Sequence, residues 1–188
     1  IAVLFVIFNY SCSNEAEIQD LSLIPFTTAD YELILPEGFP QMEIPADNPL
    51  TKEGVELGRR LFYDPVLSGD SSMSCASCHQ AHFSFTDKKP FSAGIAGKPG
   101  SRSAMSLQNL GFNKNGFFWD GRSATLEEQA LVPVEDSLEM HNNWDNLVKK
   151  IKLHGEYPTL FRKAFGIETV AEIDKELVVK AIAQFERT

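Results

Sequence analysis

Two cysteines and a histidine stand together in one short stretch of the chain, which reads Cys75-Ala-Ser-Cys78-His79. The spacing C-x-x-C-H is typical of covalent attachment of a c-type haem, because two thiols separated by two residues can both reach the vinyl groups of one porphyrin. The adjacent histidine then lies under the iron and can supply an axial nitrogen. The motif therefore predicts haem c bound through Cys75 and Cys78, with His79 as an iron ligand.

Two other kinds of site use a C-x-x-C pair. A redox-active dithiol is expected beside a strand in a βαβ unit, and the sequence around Cys75 shows no such pattern. A structural zinc site needs about four ligands, and only His82 lies close enough in the sequence to join the pair. A secretion signal upstream would also favour haem, since c-type haem is attached outside the cytoplasm.

Such a signal is indicated by residues 1–8, which read IAVLFVIF. Eight apolar residues fit the centre of a secretory signal but are too few to span a bilayer, which takes about 20. Ser11 and Cys12 close the run, as in a bacterial lipoprotein signal whose cysteine is lipidated. We expect residues 1–12 to be a truncated signal and the protein to be periplasmic, anchored to a membrane through Cys12. A free or buried Cys12 is the alternative.

The composition is that of a soluble globular protein with one domain. The 188 residues are 43% apolar and 23% charged. Three unevenly spaced cysteines do not make a disulfide framework. The net charge of −9 argues against a nucleic-acid partner, because phosphate binding needs a positive surface. It leaves room for a basic protein partner.

The elements that must position the motif are short helices and long loops. Five prolines in residues 13–50 predict an extended tether and a strap on the domain surface. No strand pattern is visible, and the long loop over 64–118 suggests that a cofactor supplies the core that the loop lacks. Apolar periodicity and caps predict helices at Thr51–Tyr63, Thr125–Leu131, Trp144–Ile151, Tyr157–Phe165 and 172–187.

Beyond the motif, the chain resembles the bacterial di-haem cytochrome c peroxidases over about residues 45–188. The resembling segments are LGRRLFYDPVLSGDSSMSCASCH (57–79), FSFTD (83–87), FFWDGRSATLEEQALVPV (117–134), Glu139-Met140 and AIAQFERT (181–188). The resemblance implies an all-α, cytochrome c-like domain of short helices and long loops around one covalent haem. Family members have two such domains, and the N-terminal haem reacts with peroxide. We therefore expect residues 51–188 to be this peroxidatic domain, with a second haem domain missing after Thr188.

The resemblance also implies an activity, namely reduction of hydrogen peroxide to water with electrons from a cytochrome c or a cupredoxin. His79 would be the proximal ligand of the reactive haem. Glu139 matches the family's acid–base carboxylate, and Gln129 a polar side chain in the same pocket. Trp119 matches an aromatic residue between the two haems, which suits electron transfer. The spacing of ten residues between Trp119, Gln129 and Glu139 agrees with the family.

The chain departs from the family at two places. Many members have a removable histidine ligand about 16 residues after the motif histidine, where this chain reads Gly94-Ile95-Ala96-Gly97. Redox-gated ligand exchange is therefore in doubt. Ser103 stands where the family has an asparagine that helps to bind calcium between the domains. The resemblance therefore leaves calcium binding in the full-length protein undecided.

Each assigned residue also has a purely structural interpretation. Glu139 could be a solvated acid beside Glu135 and Asp136. Trp119 could be a core aromatic residue, and Gln129 could face water. Arg122 could pair with a haem propionate or belong only to a turn.

Two other functions remain open at this stage. One is a mono-haem electron carrier, which needs a second strong axial ligand. Six residues are candidates for that ligand: Met73, Met105, Met140, His82, His141 and His154. The other is a di-haem oxidase that modifies a partner protein, because the methylamine-utilisation enzymes share the fold and often lack the removable histidine.

Overall fold

A computed structural model of the chain describes residues 19–188, and the predicted signal with Cys12 lies outside them. Within the described part no β-strand forms, and the backbone pairs only at isolated bridges. The predicted all-α class is therefore confirmed. The helices are α1 (Lys52–Tyr63), α2 (Cys75–Cys78), α3 (Leu126–Glu135), α4 (Trp144–Leu153), α5 (Tyr157–Phe165) and α6 (Lys175–Glu186). No helix in this part of the chain is both long and apolar enough to cross a membrane.

Helices α1 and α6 cross at the centre of the domain. The Thr51 side chain caps α1 by accepting a hydrogen bond from the Gly54 N–H. At the crossing, a Cβ atom on Gly58 would lie 1.8 Å from the Ala181 carbonyl oxygen. Only glycine permits this approach, so Gly58 lets the two backbones pack directly against each other.

The end of α3 and the start of α6 differ most from those predicted. Helix α3 continues past Leu131 to Glu135 and includes Pro133. Pro133 has no N–H to donate to Gln129 O, but the helix continues to Glu135 and the Asp136 N–H closes it on Val132 O at 3.1 Å. Helix α6 begins at Lys175 rather than at residue 172, because Asp174 accepts the Leu177 N–H at 2.9 Å and caps it.

The core has two parts, and the C-x-x-C-H turn lies between them. The larger cluster joins α1, α4, α5 and α6 and includes Leu61, Leu147 and Phe161. The smaller cluster gathers Phe62 with apolar side chains of the loops and of α3. Cys75 packs against both clusters. The packing of the whole domain therefore fixes the position of this turn.

Residues 19–50 form no helix but are pinned to the domain at several points. The Leu21 N–H donates to Glu168 O at 2.8 Å, and the Leu21 side chain is fully buried in the larger cluster. Near the other end, the buried Asn48 amide donates to Lys180 O at 3.1 Å. This segment therefore contributes side chains to the core as well as covering the surface.

Candidate haem pocket

One cavity of about 370 Å³ collects all the residues that were predicted to form the site. Its volume falls within the range of ligand pockets in proteins. The loop residues between 67 and 105, the 118–122 loop, α3 with the turn after it, and α6 form its walls. The six predicted residues in its lining are Cys75, Cys78, His79, Trp119, Gln129 and Glu139.

Helix α2 is one short turn that presents both cysteines to this cavity. The His79 N–H closes the turn on Cys75 O at 2.9 Å, and the Ser74 N–H donates to Ser77 Oγ at 3.0 Å. Residues three apart lie on one face of a helix, so Cys75 and Cys78 point the same way. Both thiols are free.

The pKa values of the two thiols help to distinguish a haem attachment site from a redox-active dithiol. Burial raises the pKa of Cys78 to about 11 and raises the pKa of Cys75 further. A reactive dithiol needs the opposite shift, because the thiolate is the nucleophile. The two thiols are neutral at pH 7, which disfavours a redox-active pair.

The His79 ring is oriented by a backbone carbonyl. Its Nδ1 lies 3.0 Å from Phe85 O, and burial lowers the pKa of the imidazole. A neutral ring that donates from Nδ1–H leaves the Nε2 lone pair free for a metal. Phe85 has a φ of 57°, in the left-handed region, and its own N–H is held by Gln80 O at 2.9 Å. No local sequence pattern indicates that this carbonyl would orient His79.

These residues fit a haem c group. The cavity holds two neutral thiols one helical turn apart and a neutral imidazole with one nitrogen available, which is what thioether attachment and axial ligation require. A zinc site fits less well, because in residues 19–188 no three His, Cys, Asp or Glu side chains converge to hold an ion. His82 is exposed and does not line the cavity.

Glu139 lies in the turn after α3, partly buried at the wall of the cavity. Its N–H donates to Asp136 O at 3.0 Å, and its carbonyl accepts the Ile95 N–H at 2.8 Å. Burial raises the pKa of the Glu139 carboxyl, Asp136 raises it further, and Arg122 opposes both. Glu135, by contrast, is exposed and outside the cavity lining. Glu139 is therefore distinct from the exposed Glu135 nearby.

The loop at 94–97, where family members carry the removable histidine, packs on the Glu139 backbone. A Cβ atom on Gly94 would lie 1.8 Å from Leu138 O and 2.9 Å from the Glu139 Cα. Ile95 is buried and donates the hydrogen bond to Glu139 O. In this chain the loop thus supports the turn that carries Glu139.

Gln129 and Trp119 occupy different parts of the cavity wall. Gln129 lies in α3 and is 7% exposed, so its side chain does not face bulk water. Trp119 is 62% exposed at the edge of the cavity, and its Nε1–H donates to Ser103 O at 3.0 Å. The exposure of Trp119 excludes a core position. An exposed aromatic ring at a cavity edge is available to a partner surface.

Two arginines share one acid beside Trp119. Arg122 Nη1 donates to Asp120 Oδ1 at 2.9 Å, and Arg102 Nη1 lies 3.5 Å from Asp120 Oδ2. The Arg122 guanidinium also stacks over the Phe118 ring, 3.5 Å from its centroid. Both arginines line the cavity, so they are placed to meet a negatively charged group there. Sequence reasoning did not identify Arg102 as a site residue, because nothing in the residues around it indicates that it lines the cavity.

The candidates for a second axial ligand divide by residue type. Met73, Met105 and Met140 all line the cavity. The lining of this cavity includes none of His82, His141 and His154. An electron carrier built on this chain would therefore use a methionine.

The chain is similar to known proteins of one family. The family model described as di-haem cytochrome c peroxidase matches residues 52–188. The methylamine utilization protein MauG of Methylorubrum extorquens is 39% identical over 153 residues, which are 81% of this chain and 42% of that protein. The cytochrome c peroxidase Ccp of Escherichia coli is 35% identical over 150 residues, 79% of this chain and 31% of that protein.

A solved structure shows the same fold. The crystal structure of a MauG-like protein associated with microbial copper homeostasis aligns with a TM-score of 0.75 at 32% identity, over 84% of this chain and 46% of that one. The chain spans less than half the length of each of these three relatives. Because the matched residues 52–188 contain both the C-x-x-C-H turn and the cavity walls, the chain belongs to the di-haem cytochrome c peroxidase family.

Proposed function

We propose that this chain is the peroxidatic haem domain of a cytochrome c peroxidase, which reduces hydrogen peroxide to water with electrons from a small redox protein. The observation that carries the proposal is the position of Glu139. A partly buried carboxyl with a raised pKa lines the same cavity as Cys75, Cys78 and His79. Peroxide cleavage requires an acid–base group in the pocket where the peroxide is bound.

Cys75 and Cys78 would hold the haem covalently through thioether bonds, and His79 Nε2 would ligate its iron. The haem would supply a redox-active iron. Glu139 takes a proton from one peroxide oxygen and returns it to the other, so that water can leave. Gln129 offers an amide to orient the peroxide. Trp119, at the exposed edge of the cavity, would pass electrons in from a second haem.

The surroundings of the domain are part of the proposal. A second haem domain follows Thr188 and receives electrons from a cytochrome c or a cupredoxin. The net charge of −9 suits a basic donor. The protein is periplasmic, where haem c is attached, and a lipid on Cys12 anchors it to a membrane. Calcium between the two domains is compatible with Ser103, but its hydroxyl is a poorer ligand than an amide oxygen.

A second candidate function is oxidation of a partner protein. It is favoured by the methylamine utilization protein among the relatives and by the Gly94–Gly97 loop that replaces the removable histidine. The two candidates share the first step, reaction with peroxide, and differ in the electron source.

The electronic spectrum of the haem-loaded chain tests the proposal. A high-spin ferric spectrum that changes rapidly on mixing with hydrogen peroxide is expected, because one axial position is open. A six-coordinate, low-spin spectrum that does not respond to peroxide would overturn the proposal and favour an electron carrier with a methionine ligand.

A further inference from the structure

Glu186, the last residue of α6, is a half-buried acid to which the site described above gives no role. It lines the haem cavity and also a second cavity of about 580 Å³. Its Oε2 atom is buried and has no hydrogen-bond partner in the structure. Buried polar atoms in native proteins are nearly always paired, so an unpaired carboxylate oxygen facing a cofactor cavity calls for an explanation.

The nearest cation does not neutralise Glu186. Arg187 is the next residue, but its guanidinium is engaged by both carboxylate oxygens of Glu127, at 2.7 and 2.9 Å. Burial raises the pKa of Glu186 to about 8, Arg187 opposes this, and Glu127 on α3 adds to it. Glu186 can therefore ionise within a moderate pH range.

Few other titratable groups face this acid. From α2 the facing group is Cys75, and the Glu186 charge helps to raise the pKa of its thiol. Cys75 would not titrate once its sulfur is part of a thioether. From α1, Phe62 and Tyr63 pack against the neighbouring Phe185. The other titratable groups of the haem cavity are Cys78, His79, Arg102, Asp120, Arg122, Asp136 and Glu139.

We propose that Glu186 is a redox-linked proton-binding residue of the haem cavity, which takes up one proton when one electron enters the site and releases it on reoxidation. The electron comes from a donor protein and the proton from a hydronium ion of the solvent, so an O–H bond of hydronium breaks, the carboxyl O–H bond forms and water is left. The reason is Coulombic: a carboxylate charge in a cavity of low dielectric opposes the addition of an electron nearby, and protonation removes that opposition.

The second cavity provides access for the proton. It borders Glu186 and is lined by Leu35, Phe39 and Phe112 from the loops and by Thr188. Glu139 is not in the lining of this second cavity, so water entering it would offer Glu186 a proton route separate from Glu139. The proposal depends on haem in the cavity but not on the peroxide chemistry assigned to Glu139, so the two can fail separately.

The test is the pH dependence of the haem midpoint potential, measured by spectroelectrochemistry on the haem-loaded chain between pH 6 and 10. In the parent, the potential is expected to fall as pH rises through the Glu186 pKa, because the ionised acid favours the oxidised state. In Glu186→Gln this fall should be absent, and the gap between variant and parent should widen above pH 8. Glu139→Gln and the exposed-site variant Glu135→Gln should keep the fall. An unchanged pH profile in Glu186→Gln would overturn the proposal.

A second measurement decides the matter if Glu186→Gln fails to hold haem. Redox-difference infrared spectroscopy of the unmutated chain at pH 9 should show a carboxylic acid carbonyl band gained on reduction and shifted in D₂O. Glu139→Gln should retain this band, which assigns it away from Glu139. No protonated-acid band on reduction in that variant would contradict a proton on Glu186.

Discussion

The backbone N–H of Ile95 donates a hydrogen bond of 2.8 Å to the carbonyl oxygen of Glu139. This bond ties a loop that is 44 residues earlier in the chain to the turn that follows α3. Gly94 packs against the same turn so closely that no side chain fits between them. The position of the Glu139 carboxyl thus depends on the 94–97 loop as well as on α3.

Glu139→Gln should slow the reaction of the haem-loaded chain with peroxide by about 10² to 10⁴, the usual contribution of general acid–base catalysis. The amide keeps the size of the side chain but cannot accept the peroxide proton. Haem content and the resting spectrum should hardly change. Stopped-flow mixing with peroxide measures this first step alone. Glu135→Gln is the control, because Glu135 is exposed and outside the cavity lining.

The direction in which the rate of the peroxide reaction changes with pH can also be predicted. Burial holds the pKa of Glu139 above its ordinary value, and the carboxylate is the form that accepts a proton. The rate of the peroxide reaction should therefore be highest above this raised pKa and decline as pH falls through it. Glu139→Gln should lose that acid limb. Equal rates and pH profiles in the parent, Glu139→Gln and Glu135→Gln would remove Glu139 from the site.

Gly94→Ala should disturb the Glu139 turn without removing any group from the cavity. The added methyl meets the Leu138 carbonyl at 1.8 Å, so the loop or the turn must move. We expect a loss of about 1–3 kcal/mol in the free energy of unfolding, as for other overpacked sites. The peroxide reaction should slow while haem attachment is kept. Gly155→Ala, where nothing lies within 4 Å, is the matched control and should react like the parent.

Replacing Cys75 and Cys78 together with Ala should abolish covalent haem, because each thioether bond needs a sulfur. Haem staining after denaturing gel electrophoresis measures this. Cys12→Ala should keep full haem staining, since Cys12 lies far from the motif in the sequence. Retention of haem by the Cys75/Cys78 double variant through the gel would show that the attachment chemistry is wrong.

Membrane anchoring through Cys12 can be tested by fractionation. A mature chain that begins at a lipidated Cys12 should partition into the detergent phase and carry acyl groups detectable by mass spectrometry. Cys12→Ala should appear in the aqueous fraction. Release of the native protein from membranes by salt alone would contradict the anchor.

The sequence by itself determined the local features of this protein. Five residues sufficed to predict the haem attachment turn, because thioether spacing is a property of neighbouring residues. Apolar periodicity predicted a helix at Tyr157–Phe165, where the structure has α5. The Thr125 cap of α3 was also predicted, and the Thr125 hydroxyl accepts the Glu128 N–H at 3.1 Å. The Glu128 carboxylate accepts the Ala124 N–H at 2.7 Å. Local hydrogen bonds and side-chain spacing decide these features.

The tertiary structure decided what depends on residues far apart in the chain. Arg102 and Arg122 meet at Asp120, and Ile95 meets Glu139, only because loops fold over the cavity. Glu186 is an unremarkable acid in the sequence, and its unpaired oxygen exists because α6 ends between two cavities. Burial, desolvation and contacts across long loops arise only when the whole domain packs, so no local pattern could have shown them.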